Sequence, residues 1–94
     1  QTAKVRGMFV HPSQVAEVLK RHPEIGRARL VVEGEMAQDR MTLRAECAHA
    51  APGLADAVAG SVRDLTKLRS DVEFVAPGAL PNDGKVIDDL RRVN

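Results

Sequence analysis

The sequence predicts a small two-layer α+β domain of β-α-β-β-α-β order, an antiparallel sheet with two main helices on one face. Three observations lead there. The chain has 94 residues, 44% hydrophobic and 29% charged, which closes one core and leaves no room for a second. Apolar residues recur with helical spacing in two segments and alternate in others. Pro12, Pro23 and Pro52 fall at helix boundaries and Pro77 and Pro81 in a loop, where they interrupt neither a helix nor a ladder.

The elements follow in order. Lys4, Val5 and Arg6 form a short extended stretch, broken by Gly7 as a hinge or bulge and resumed by Met8, Phe9 and Val10. Pro12 suits the first helical position, where its missing N–H would have no partner, and Gln14 can reach back as a capping-box residue. Val15, Val18, Leu19 and His22 then recur at i, i+3, i+4 and i+7, an apolar stripe that Pro23 ends.

Ala28 to Glu33 reads as a strand, with Leu30 and Val32 on one face and Arg29 and Val31 on the other. Gly34 to Arg40 is polar and turn-like. Met41, Leu43, Ala45 and Cys47 alternate with Thr42, Arg44 and Glu46, giving the hairpin partner of the preceding strand. His49 to Gly53 is loop, and Pro52 opens a long helix lined by Leu54, Val58, Val62, Leu65 and Leu68 or Arg69. A further strand spans Asp71 to Val75, with Val72 and Phe74 on one face. The tail from Ala76 to Lys85 carries two Pro and two Gly and reads as a structured, exposed loop. Val86 to Arg92 is too short to classify.

Composition excludes several function classes. Fourteen Lys and Arg against thirteen Asp and Glu leave a formal charge of +1, so any phosphate contact must be local and nucleic-acid binding is not expected. Phe9 and Phe74 are the two aromatics, too few for the stacking sheet of an RNA reader. No apolar run reaches 18 residues and no leader is visible, so no membrane partner is expected. Cys47 is alone and makes no disulfide within the chain, which suits a cytoplasmic protein. A start at Gln1 without Met reads as a fragment of a longer polypeptide.

Self-contained chemistry is also missing from the pattern: there is no P-loop, GxGxxG, HExxH, GxSxG or EF-hand loop. His11, His22 and His49 share no ligand-like spacing and read as caps and loop residues, so no metal site is expected. Cys47 lies on the apolar side of its strand, as a small hydrophobe.

Two places remain. In Lys4-Val5-Arg6-Gly7-Met8 two cations flank a point of backbone freedom; the plain reading is a β-bulge with solvated charges. In Asn82-Asp83-Gly84-Lys85 a Gly-containing turn presents a lysine at its tip. Such a lysine is either an ordinary surface residue or one that enters a neighbouring site and stabilises charge on a phosphoryl group.

The stretch AKVRGMFVHPSQVAEVLKRHPEI resembles the start of the C-terminal domain of phenylacetate-CoA ligase and related acid-CoA ligases of the adenylate-forming superfamily. The resemblance is carried by Lys4, Arg6, Gly7, Val10, Pro12, Val15 and Glu17, then by Pro23, Glu24 and Ile25. The tail LPNDGKVIDDLR is similar to the family's terminal segment with its Gly-Lys pair, here Gly84 and Lys85. The two ends at this separation cover essentially the whole chain. Two departures stand out: a short step from Pro81 to Gly84, and Asp88 where a basic residue is common in the wider superfamily.

The resemblance implies residues 1–94 as the mobile lid of an ATP-dependent, AMP-forming ligase acting on phenylacetate or a related aryl acid. Its N-terminal adenylation domain, on the same chain, would hold the acid, ATP and Mg2+. By match, Lys85 serves adenylation, while Lys4, Arg6, Gly7 and Gly84 serve the coenzyme A and nucleotide side. The isolated lid would be inactive. A different class also fits the element order: an ACT-like small-molecule-sensing or dimerisation module, with a homodimer formed through open sheet edges.

Overall fold

The computed structural model describes residues 2–34 and 38–91. Its elements are β1 (Ala3–Val5), β2 (Met8–Val10), α1 (Pro12–Arg21), β3 (Ala28–Glu33), β4 (Arg40–Glu46), α2 (Leu54–Thr66), β5 (Asp71–Val75) and β6 (Ile87–Asp89). The α+β class, both helices and the central strands follow the sequence pattern. The element order differs at both ends. The first extended stretch is a hairpin, and the unclassified segment after Lys85 contains a strand.

Helix α1 begins where its cap chemistry requires. Pro12 occupies the first turn, and the Gln14 side chain turns back so that its Oε1 accepts the His11 N–H at 2.9 Å. Gln14 also donates from Nε2 to the Leu65 carbonyl at 3.0 Å, which ties α1 to the last turn of α2. Helix α2 ends at Lys67, whose φ of 65° lies in the left-handed region and whose N–H bonds the Arg63 carbonyl at 2.8 Å.

Four strands form one sheet in the order β5-β4-β3-β6, and β1 pairs with β2 separately. The expected hairpin of β3 and β4 is antiparallel, with Leu30 opposite Leu43. The outer strands correct the expectation of a wholly antiparallel sheet, because β5 runs parallel to β4 and β6 parallel to β3. The reason lies in the connections. Helix α2 carries the chain back from the end of β4 to the start of β5, a βαβ crossover that makes neighbours parallel. The segment after β5 must then travel from one edge of the sheet to the other before β6 can pair with β3.

That journey corrects the reading of the tail as a wholly exposed loop. Leu80 is buried on it. The tail crosses on the side of the sheet marked by Arg29 and Val31, and Arg27, Arg29 and Glu46 contact it. Leu80 and Val31 are both buried, yet neither joins the main core cluster. The main core lies on the other face, under α1 and α2, and combines Leu30, Val32, Leu43, Val18 and Val58 with Val5 and Val10 of the hairpin. Burying each such side chain contributes about 1.5–3 kcal/mol, and this layer fixes the scaffold from which both sequence-predicted sites project. Among the described residues no helix is long and apolar enough to cross a membrane.

Candidate functional site

Gly7 is a turn residue rather than a hinge or bulge. Arg6 (φ 49°) and Gly7 (φ 83°) are the two central residues between paired strands, with Val5 opposite Met8. Two successive residues of positive φ between antiparallel strands match a type I′ hairpin turn, whose twist suits the strands on either side. A Cβ added at Gly7 would meet nothing within 4 Å, so the backbone conformation, and not crowding, is what favours glycine here.

The two cations of the hairpin are not simply solvated. Lys4 Nζ lies 5.6 Å from the centroid of Phe9, its cross-strand partner. Arg6 donates from Nε and Nη2 to the Asp39 carbonyl at 3.3 and 3.2 Å, and its N–H reaches Asp39 Oδ2 at 3.4 Å. Arg91 locks this assembly from the far end of the chain, donating from Nη1 to the Lys4 carbonyl at 2.7 Å and to Asp39 Oδ2 at 3.0 Å. Its other nitrogens hold Asp89 at 2.6 and 2.8 Å. These hydrogen bonds lower the Asp89 carboxyl below its ordinary range and raise the Arg91 guanidinium further above its own.

Beside the hairpin opens a cleft of about 740 Å³ between Arg6, the start of β4 and the end of α2. Its lining holds five cationic side chains, Arg6, Arg40, Arg63, Lys67 and Arg69, against Asp39 and Asp71. A chain of net charge +1 thus concentrates positive charge in one concavity, where low-dielectric walls focus the field on an anion.

Lys85 occupies a different end of the molecule. Asp83 Oδ1 accepts the Lys85 N–H at 3.0 Å, and Gly84 turns through φ 75° between them. A Cβ at Gly84 would touch nothing. Lys85 is exposed, and its charge acts on the neighbouring Asp83 carboxylate. The tip is nevertheless braced from below. Arg29 bridges Asp83 and donates to the Pro81 carbonyl at 3.4 Å, while its Nη1 lies 3.8 Å from Asp88 Oδ2. Arg27 donates to the Leu80 carbonyl at 3.1 Å, to Glu46 at 3.2 Å and to Asn82 at 3.3 Å. Glu46 in turn accepts the Leu80 N–H at 3.1 Å.

The electrostatics of this brace follow from those contacts. Bonds from the Gly78 and Leu80 N–H groups and the charge of Arg27 lower the Glu46 carboxyl, against the opposing effect of burial. The Lys85 N–H leads in lowering Asp83, with Arg29 adding to it.

The sequence-predicted residues therefore form two groups. Lys4, Arg6 and Gly7 sit together on the hairpin, and Gly84 and Lys85 on the tail. Pairing of β6 with β3 extends from Val86 to Leu90, about 13 Å of strand at 3.3 Å per residue, and separates Lys85 from Arg91 and the hairpin it holds. Residues that the sequence did not single out do the bracing: Arg27, Arg29, Glu46, Asp39 and Arg91. Arg29 left a faint signal, as a charge on a strand otherwise rich in buried apolar residues. His22 meets Ser61 Oγ at 2.8 Å in a half-buried contact, and no group of metal-ligating side chains is found among the described residues.

The family model of the AMP-binding enzyme C-terminal domain matches residues 7–91, from the turn glycine to the arginine that holds the hairpin. The chain belongs to this family. That membership decides between the ligase-like and ACT-like readings. No curated protein sequence matches the chain. Among solved structures, a domain of phenylacetate-coenzyme A ligase from Bacteroides vulgatus is similar with a TM-score of 0.86 at 22% identity, covering 100% of this chain and 96% of that one. A 2-hydroxyisobutyryl-CoA ligase in complex with 2-HIB-AMP and CoA in the thioesterification state has a TM-score of 0.82 at 24% identity. The same ligase in the postadenylation state has a TM-score of 0.75 at 24% identity and covers 94% of this chain. The AMP-binding enzyme C-terminal domain described here spans 22% of that ligase in the first structure and 21% in the second, and 98% of the present chain is covered in the first. At these identities the likeness establishes a shared fold.

Proposed function

We propose that the domain is the lid of an ATP-dependent, AMP-forming acid-CoA ligase, acting on phenylacetate or a related aryl acid together with an N-terminal adenylation domain of the same chain. In the first step a carboxylate oxygen attacks the α-phosphorus of ATP and pyrophosphate leaves. In the second the coenzyme A thiol attacks the acyl carbon and AMP leaves. Lys85 serves the first step. A cation brought into a water-poor cleft stabilises charge developing between the carboxylate and the α-phosphate, and Gly84 gives the loop the turn that presents it. Mg2+ would be held with ATP by the adenylation domain.

The hairpin serves the second step. Gly7 offers a side-chain-free backbone along which a pantetheine arm can pass, and Arg6 stands where that path meets the cationic cleft. Guanidinium groups there suit the phosphates of coenzyme A, with Lys4 a further cation on the same hairpin. Exposed Met8 and Phe9 give the hairpin an apolar edge for contact with the adenylation domain.

The observation that carries this reading is Lys85 itself, exposed at the tip of a braced turn. The test is a Lys85→Ala variant of the full-length ligase. Acid-dependent ATP–pyrophosphate exchange should fall by about 10²–10³-fold, while thioester formation from supplied acyl-adenylate persists. Undiminished exchange would refute the assignment.

A further inference from the structure

We infer that Arg29 is a positioning residue for Lys85, acting through Asp83. The inference rests on the function proposed above and concerns how the lysine is aimed. Arg29 projects from the second position of β3, on the sheet face away from the helices, and is 7% exposed. A guanidinium so deeply placed needs compensating charge and hydrogen bonds, because burial without them is costly. Its partners lie on the tail and the strand that follows: the Pro81 carbonyl, the Asp83 carboxylate and, more distantly, Asp88. The same Asp83 oxygen that meets Arg29 accepts the Lys85 N–H at 3.0 Å. One carboxylate thus links a residue anchored in the sheet to the backbone of the lysine.

The geometry distinguishes this from ordinary surface pairing. Asp83 side-chain exposure is 41%, whereas the Arg29 side chain is 9% exposed, so the sheet holds the arginine and the arginine holds the loop. Arg29 Nε is buried and makes no hydrogen bond. The group is left incompletely satisfied in a place where the tail and β6 supply its partners. The main hydrophobic cluster lies on the other face of the sheet, so Arg29 faces the tail. The departure noted in the sequence, a short step from Pro81 to Gly84, acquires a role here. It is short enough for the Pro81 carbonyl and the Asp83 carboxylate to meet a single guanidinium.

The consequence is selective. A displacement of about 1 Å at a reacting group costs on the order of 10²-fold in rate. Loss of the Arg29–Asp83 link loosens the tip that carries Lys85, while Arg27 and Glu46 still hold the loop at Leu80 and Asn82 and Arg91 and Asp39 hold the hairpin.

The experiment uses the full-length ligase and measures both half-reactions separately for Arg29→Met, Arg29→Lys, Asp83→Ala and Lys85→Ala. The expected result is a loss of ATP–pyrophosphate exchange of about 10–10²-fold in Arg29→Met and Asp83→Ala, partial recovery in Arg29→Lys, and thioester formation from supplied acyl-adenylate unchanged within about twofold. Asp83→Ala removes the link from the exposed side and leaves the buried arginine in place, so urea midpoints measured beside the rates separate aim from stability. Retained exchange in Asp83→Ala and Arg29→Met, beside lost exchange in Lys85→Ala, overturns this inference and leaves the function standing. Equal loss of both half-reactions in Asp83→Ala also overturns it, as a general structural role. Retained exchange in Lys85→Ala overturns the functional reading itself, and the inference with it.

Discussion

Arg91 Nη1 donates to the Lys4 carbonyl at 2.7 Å, so the last described residue of the chain is fastened to its first strand. The same nitrogen reaches Asp39 Oδ2 at 3.0 Å, and Asp39 in turn holds Arg6. A two-residue hairpin turn outside the main sheet is thereby given a fixed orientation by three segments separated in sequence.

Arg91→Ala should therefore loosen the hairpin. The Lys4 carbonyl and the partly buried Asp39 carboxylate each lose a donor, and loss of such hydrogen bonds costs about 0.5–1.5 kcal/mol each. Urea denaturation would show a lowered midpoint, and hydrogen exchange would show the Lys4 to Val10 amides losing protection first.

Acid should release the tail before the core. The folded-state value of Glu46 lies below its ordinary 4.5 and that of Asp83 below its ordinary 3.8. The unfolded chain then binds more protons than the folded one as pH falls through this range, so the stability these groups add near neutrality is lost from the ordinary values downward. In Glu46→Gln the acid limb of the stability profile should be shallower and neutral-pH stability lower. An unchanged limb in a pH series of urea midpoints would contradict it.

Substitution at Gly7 should follow backbone preference. Gly7→Asn tolerates positive φ and should cost least, Gly7→Ala about 1–2 kcal/mol, and Gly7→Val more, because the β-branched side chain is least compatible with the left-handed region. Within the full-length ligase, Gly7→Val should slow thioester formation and spare ATP–pyrophosphate exchange. Stability midpoints and the two half-reaction rates read the two effects separately.

Charge reversal in the cleft should act on coenzyme A alone. Arg63→Glu or Arg69→Glu is expected to raise KM for coenzyme A by about tenfold, the loss of one charge-assisted hydrogen bond of about 1.4 kcal/mol. The effect should shrink at high salt, and the acid and ATP KM values should not move. Steady-state kinetics at two ionic strengths decide it.

Local rules explain what was legible beforehand. The start of α1 follows from Pro12 and Gln14, β3 from its Leu- and Val-rich run and β4 from the alternation of Met41, Leu43 and Ala45, because each signal lies within a few residues. In sequence the hairpin looks like one interrupted strand because Arg6, a residue with no special taste for positive φ, supplies half of the turn. Strand β6 has three residues, too few for a period to register, and its parallel pairing depends on a connection that crosses the sheet. At the candidate site, the exposed lysine after a Gly turn was visible. Its brace was not, because Arg29 and Asp83 stand 54 residues apart, and nothing local to either announces the other.

The stretch from Val86 to Leu90 has one more implication. Since it is hydrogen-bonded along its length to β3, it behaves as a stiff spacer between the amine and the turn, and neither can slide toward the other. On the function proposed above, one reaction centre on the adenylation domain would meet one of them at a time. A crosslink that immobilises either end against that domain should then silence the opposite end while leaving its own side chains intact.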